Sequence, residues 1–375
     1  MRLDAVSAVE LMYAAKGSRQ AHFIAVGDAI VDKTVRVARV DRRLSLGDGT
    51  FLRCNSVETE LGGSPTVARA LAAIGRTTMV IPAYNRGEEA ASLSQLLDAD
   101  PSLRAVETIR IDCQDCVVPS VTRYIEQDYL RRDHQIFRVE ERSDRIPEID
   151  AAAVILGRRP NMKGAIVVLS DYGRGFVTET LCSAVSDAAA GKLILDPAGQ
   201  WSHYRRLGDI EVLLLRGDQL ADLCRYEGID VDPVSALDRR AGVLFVLSRW
   251  PQLGNVVVKD HGTADTALFR KRVETGRMLV DVLGFRKSDQ ALKTRLGGGT
   301  AFAAYLSAGI GVGLDVMDAA LVGETGALTM SLLDRPGVPS IEEIYRSRKE
   351  AAALFSICDE GTEELDSVAP QRDFL

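Results

Sequence analysis

The sequence predicts an α/β fold, with a mostly parallel central sheet covered by helices and a small β-arm lid. Two observations carry this. Short apolar runs stopped by Gly or Asp alternate with helical stretches along most of the chain, and that alternation is how a parallel sheet is covered on both faces. Two valine- and threonine-rich stretches, near 33–60 and 118–142, interrupt it and read as hairpin arms rather than core. The 375 residues are 46% hydrophobic and 26% charged, ordinary for one large globular domain.

The elements follow in order. Residues 1–20 read as a short amphipathic helix ending at Gly17-Ser18, an appendage outside the main fold. Phe23-Ile24-Ala25-Val26-Gly27-Asp28 is a buried strand stopped by Gly-Asp. Val35, Val37 and Val40 alternate with polar residues, Leu46-Gly47-Asp48-Gly49 turns, and 50–57 returns as the first arm. Gly62-Gly63-Ser64-Pro65 leads into a helix over 66–74 with a glycine stop at Gly75. A strand over 77–82 and a helix over 88–97 come next, and 121–125 with 135–139 forms the second arm. Strands at 165–170, 193–196, 212–215 and 255–259 then alternate with helices at 178–190, 300–309 and 316–331. Residues 21–333 make one domain on this reading. Beyond it, Ser340-Ile341-Glu342-Glu343 supplies a capping box for a helix over 340–355, and 359–375 is polar, acidic and loose.

The formal net charge of −7 argues against nucleic acid or an anionic membrane surface as the main partner. No apolar run is long enough to span a bilayer, and Met1-Arg2-Leu3-Asp4 does not open a signal peptide, so a cytoplasmic location is expected. Six scattered cysteines are not a disulfide framework. Cys113-Gln114-Asp115-Cys116 has the spacing of a metal or redox pair but lacks a second pair or nearby histidines. His22, His134, His203 and His261 are too dispersed for a metal site, and none is expected.

The segment with most chemistry is Leu296-Gly297-Gly298-Gly299-Thr300, which runs into a small-residue helix. Glycines let backbone N–H groups approach an anion, and a helix N-terminus adds free donors and a positive dipole end. Thr300 reads as the helix cap. Three glycines alone favour the plainer reading, spacing between a packed loop and helix.

Five segments in one order change that balance: Gly27-Asp28-Ala29-Ile30-Val31-Asp32, Leu61-Gly62-Gly63 with its Val67-Ala68 helix, Arg138-Val139-Glu140, Ser170-Asp171-Tyr172-Gly173-Arg174-Gly175, and Leu195-Asp196-Pro197-Ala198-Gly199. Together they resemble the ribokinase-like (PfkB) carbohydrate kinases over residues 23–333, and among these the kinase part of the bifunctional heptose 7-phosphate kinases. The resemblance implies a ribokinase-like three-layer sandwich, Mg-ATP as cofactor, a sugar or sugar phosphate as substrate, and a homodimer through the lid sheets. It places Asp28, Asp32, Gly62, Gly63 and Asp171 at the sugar, and Arg123 and Arg138 on a substrate phosphate. Gly297, Gly298, Gly299, Lys259 and Gly262 fall on the nucleotide side.

The resemblance also breaks at the chemistry. The family's Asp-Thr-x-Gly-Ala-Gly-Asp run ends in the catalytic base, and that position here is Thr300. Aligned on the glycines, Thr294 replaces the first Asp. Aligned upstream, Val280-Asp281-Val282-Leu283-Gly284 fits and 285–296 is an insertion, the alignment preferred because 278–282 reads as a strand. The family's Asn-x-x-Glu becomes Gly217 and Leu220, with Asp218 or Asp222 substituting only in a shifted register. Thr66 stands for an Asn and Ala198 for a Lys. A threonine cannot serve as a base near pH 7, and Asp289 is the one nearby carboxylate that could replace it. The expectation is a degenerate kinase that binds a sugar phosphate or a partner. The alternative is an active kinase with a base such as Asp289. A nucleophilic Thr300 is disfavoured, since no neighbour in sequence activates it. A nucleotidyltransferase half is expected to be missing after 333.

Overall fold

The structure is a computed structural model and describes residues 3–17, 21–39, 52–86, 88–127, 133–141, 164–189, 192–259, 266–288, 298–333 and 337–365. Its main sheet has ten strands among the described residues, in the order β5-β4-β1-β8-β9-β10-β11-β12-β13-β14. These are β1 (His22–Gly27), β4 (Arg76–Arg86), β5 (Glu107–Val117), β8 (Ile166–Ser170), β9 (Leu193–Asp196), β10 (Ile210–Arg216), β11 (Leu253–Lys259), β12 (Thr266–Glu274), β13 (Arg277–Lys287) and β14 (Phe355–Glu364). From β5 to β11 every pairing is parallel, and the last three pairings are antiparallel. The expected three-layer sandwich with a mostly parallel sheet is therefore what the chain adopts.

The apolar runs are continuous because both sheet faces are covered. Every residue of β8 is buried. Along β1, Phe23 and Ala25 pack into one core and Ile24 and Val26 into the other, the period of two that a strand imposes. The first core is built with α1 (Ala5–Ala14), α2 (Ser64–Ala72), α3 (Glu88–Ala99), α8 (Gly298–Gly311), α9 (Val316–Leu332) and α10 (Ile341–Ala352). The second uses α4 (Glu179–Ala189), α5 (Trp201–Tyr204), α6 (Gly217–Tyr226) and α7 (Ala236–Arg249).

A separate four-stranded sheet, ordered β3-β2-β6-β7, comprises β2 (Ala29–Arg39), β3 (Leu52–Gly63), β6 (Ser120–Gln127) and β7 (Asp133–Glu141). This is the expected lid. Its arms leave the core immediately after Asp28 and beside Pro119, where Val31 N–H donates to the Pro119 carbonyl at 3.0 Å.

Two terminal expectations change. The N-terminal helix is not outside the fold: Ala5, Ala8, Val9 and Met12 are buried in the first core, and Leu3 N–H bonds Asp318 at 3.1 Å. At the other end the capping box forms, with Ser340 N–H donating to Glu343 at 2.6 Å and Glu343 N–H to Ser340 Oγ at 3.2 Å. The acidic stretch after it is β14, an edge strand paired with β13, rather than a loose tail up to Glu364. Among the described residues no helix is long and apolar enough to cross a membrane. Cys54, Cys182, Cys224 and Cys358 are free thiols. Cys113 and Cys116 lie on β5, and their side chains fall outside the described residues.

Candidate active site

The C-terminal ends of the parallel strands face the lid across a cleft of about 720 Å³. This is where an open α/β sheet places ligands. Asp32, Gly62, Gly63, Arg123, Arg138, Asp171, Lys259, Gly298, Gly299 and Thr300 all line it, so most of the expected site residues converge. Gly262, Asp289 and Gly297 lie outside the described residues.

Asp28 does not line the cleft. It is fully buried at the exit of β1, and its carboxylate accepts from the backbone N–H groups of Tyr172 (2.8 Å), Arg174 (3.3 Å) and Phe176 (3.4 Å). Its oxygens are committed to shaping the loop after β8, which corrects the expectation of a sugar contact. Asp171 reaches the cleft but is likewise engaged, accepting from Tyr204 Oη at 2.5 Å and Gly173 N–H at 2.7 Å. Burial, followed by the proximity of Asp171, pushes Asp28 up to about 7, and burial raises Asp171 as well.

On the lid side the charges are paired. Arg123 on β6 bonds Asp32 on β2. Glu140 on β7 bonds both Arg138 and, at 2.8 Å, Arg174 from the core. The Arg174 side chain is only 3% exposed, and its Nε and Nη1 have no hydrogen-bond partner among the described residues. That makes a cationic latch between core and lid which the sequence reading quoted within a motif but gave no role. Thr66, at the family's Asn position, spends its hydroxyl on the Leu61 carbonyl at 2.6 Å, closing the Gly62-Gly63 turn.

On the opposite side Thr300 is in the first turn of α8, which begins at Gly298, so Thr300 is inside the helix rather than its cap. Its hydroxyl lies 2.8 Å from Tyr172 Oη. Burial, with Asp196 next, raises Tyr172 well above an ordinary phenol, so it stays protonated. Lys259 ends β11 with its ammonium 3.4 Å from the Gly298 carbonyl and 3.9 Å from the Phe302 ring centre. Burial holds it down to about 7.

Asp196, at the end of β9, also lines the cleft. Burial pushes it up to about 6, against the pull of Arg216 and Lys259. A carboxyl raised in the folded state contributes stability at acidic pH that is lost as pH climbs from the ordinary 3.8 through about 6. Asp196→Asn is therefore expected to gain stability over the parent at pH 8, on the order of 1 kcal/mol or more, and nothing at pH 4. Urea unfolding at the two pH values checks this; an equal difference at both would refute it.

No family model matches the chain. It is 32% identical over 179 residues to a protein named bifunctional protein HldE from Caulobacter vibrioides, covering 46% of this chain and 35% of that protein. A like-named protein from Methylobacillus flagellatus is 23% identical over 356 residues, covering 90% of this chain and 65% of its own. The chain thus spans about a third of the length of the first relatives it matches. Among solved structures, Escherichia coli phosphofructokinase-2 in complex with substrates and products superposes with a TM-score of 0.64 at 16% identity, covering 89% of this chain and 99% of that one. A carbohydrate kinase from Agrobacterium tumefaciens gives 0.57 at 16% identity, covering 92% and 99%. The chain shares the fold of these sugar kinases, and part of its sequence is similar to the proteins named HldE.

The Mg²⁺ position that the resemblance implies can be tested on the donor set. Leu220, at the family's Glu position, is fully buried, and Gly217 has no side chain to offer. Asp218 is paired with Arg216 at 3.0 Å. Asp222 accepts from Trp201 Nε1 at 2.9 Å, and neither aspartate lines the cleft. Asp281 of the preferred upstream alignment sits mid-strand on β13, bonded to Arg272 (2.8 Å) and Thr362 (2.7 Å), away from the cleft. The residue β13 delivers to the cleft is Lys287. Among the described residues no three His, Cys, Asp or Glu groups gather as metal ligands. The described residues do not fit the implied Mg²⁺.

Proposed function

We propose that this protein binds a phosphorylated sugar beneath its lid and is crippled as a kinase. The observation carrying the reading is Thr300: at the family's base position the cleft presents a hydroxyl bonded to the Tyr172 phenol. Neither group removes a proton from an attacking hydroxyl at neutral pH. The relatives named HldE make a heptose 7-phosphate the first ligand to try. In that complex Asp32 and the Gly62-Gly63 turn meet sugar hydroxyls, while Arg123 and Arg138 turn from Asp32 and Glu140 to the phosphate.

The test has two arms. Phosphoryl transfer from Mg-ATP to the sugar phosphate, followed by ³¹P NMR, is expected at background; turnover near 1 s⁻¹ or above, within the ordinary enzyme range, would overturn the reading. Sugar-phosphate binding by calorimetry should weaken about 10-fold or more in Arg138→Ala, from loss of a charge-assisted hydrogen bond. An unchanged affinity would remove Arg138 from the site.

A working kinase is the second reading, favoured by a cleft and lid that are kept whole. It places the base at Asp289, so Asp289→Asn should abolish transfer. The lid also leaves Val57, Ile136, Phe137 and Val139 exposed, which supports a homodimer through these sheets. Sedimentation showing a monomer at micromolar concentration would count against it.

A further inference from the structure

We propose that the glycine-loop end of the cleft binds a triphosphate chain without a divalent cation, Lys259 and Lys287 supplying the positive charge. The proposal rests on reading the cleft as kinase-derived and departs from that family in dispensing with the metal.

Lys259 and Lys287 end strands β11 and β13, which are next-but-one neighbours in the sheet, and both side chains line the cleft with Gly298, Gly299 and Thr300. The described contacts of the Lys259 ammonium are a backbone carbonyl and an aromatic face, not a carboxylate. Lys287 pairs with Glu324 at 3.0 Å. Glu324 is fully buried on α9, is held from its other oxygen by Thr266 at 3.0 Å, and does not line the cleft. Glu324 thus stays behind the cleft wall, while both lysines line the cleft beside Gly298, Gly299 and Thr300. Asp196 lines this end with Arg216, Lys259 and Asp171 as its charged neighbours.

Magnesium needs several oxygen donors in near-octahedral array and gives up its water reluctantly. The described carboxylates here, Asp171 held by Tyr204 and Gly173 and Asp196 beside Arg216 and Lys259, offer neither the donors nor the potential. A phosphate chain meets the opposite conditions: two cations, backbone N–H groups free in the first turn of α8, and the positive end of that helix. Lysine is an established point-charge binder of phosphate. The geometry therefore moves the charge of the missing cation onto the protein.

The test titrates ATP, and separately inorganic tripolyphosphate, into the full chain by calorimetry, in EDTA and in excess Mg²⁺. Saturable binding in EDTA that Mg²⁺ does not strengthen is expected. Lys259→Gln should weaken it about tenfold or more. Lys287→Gln strands the Glu324 carboxylate, so Lys287→Gln with Glu324→Gln is the matched variant; it removes both charges and should weaken binding similarly. Tripolyphosphate binding as well as ATP would show that the phosphates suffice, and ATP alone that the nucleoside contributes; either supports the proposal. Binding that requires Mg²⁺, binding by neither anion in EDTA, or indifference to both variants would overturn it. The sugar-phosphate titration is read independently: its failure with ATP bound in EDTA would sink the lid-side reading and leave this one standing.

Discussion

Thr300→Asp should raise ATP-dependent phosphoryl transfer about 100-fold above the parent, the lower end of what a general base contributes. The position is prepared for a carboxylate. Residue 300 lies in the first turn of α8, where the macrodipole favours negative charge by about 0.3–1 kcal/mol. Tyr172 is already within hydrogen-bond distance and is held protonated by burial, so it donates to the new carboxylate without competing for the proton. The variant should therefore fold at least as stably as the parent. The gain stays at the low end because Gly217 and Leu220 stand where the family carries polar residues for metal support. The measurement is initial-rate transfer to a sugar phosphate, with the melting temperature as the control. A folded variant with unchanged rate would place the defect, or the working base, elsewhere, and Asp289→Asn in the parent background then separates those two.

How far the sequence reached depends on which physical effects are local. The parallel sheet was legible because strands buried on both faces must be apolar throughout, and 166–169 and 212–215 are. The capping box at Ser340 was legible because its hydrogen bonds close within four residues. β14 was not, because an edge strand with an exposed, polar face carries little hydrophobic pattern. In the site, Thr300 and the glycines announced themselves through spacing. The commitment of Asp28 did not, since its three donors come from residues 144 to 148 positions later. Lys287 lay inside a stretch read as an insertion, and only the extension of β13 to that residue carries it into the cleft. Asp196 and Arg174 were on the page as motif letters. Their burial, which gives them chemical interest, is a tertiary property that no local pattern encodes.

Gly63→Ala is expected to cost at least about 3 kcal/mol of stability, enough to threaten folding of a domain with ordinary reserves. Two independent penalties meet at this residue. Its backbone sits at φ 73° and ψ −146°, a region that essentially only glycine occupies. A Cβ there would lie 2.1 Å from the Asp28 carbonyl oxygen. That oxygen cannot retreat, because it accepts from Ser64 N–H at 2.9 Å, and the Asp28 side chain is tied to the loop after β8. The other glycines of the site give the contrast. At Gly62 a Cβ would approach the Ile30 Cβ at 3.3 Å, a milder crowding. At Gly298 and Gly299 it would meet nothing within 4 Å among the described residues, and both are helical. Alanine at Gly299 should therefore shift stability by no more than about 1 kcal/mol, and in the favourable direction. Urea unfolding of Gly63→Ala, Gly62→Ala and Gly299→Ala ranks the three; a parent-like midpoint for Gly63→Ala would refute the argument. The ranking also divides the cleft by purpose. Gly63 is fixed by the chain itself, at the joint where the lid leaves the core. Among the described residues nothing packs against Gly299, so glycine there leaves the start of α8 open to the cleft that it lines.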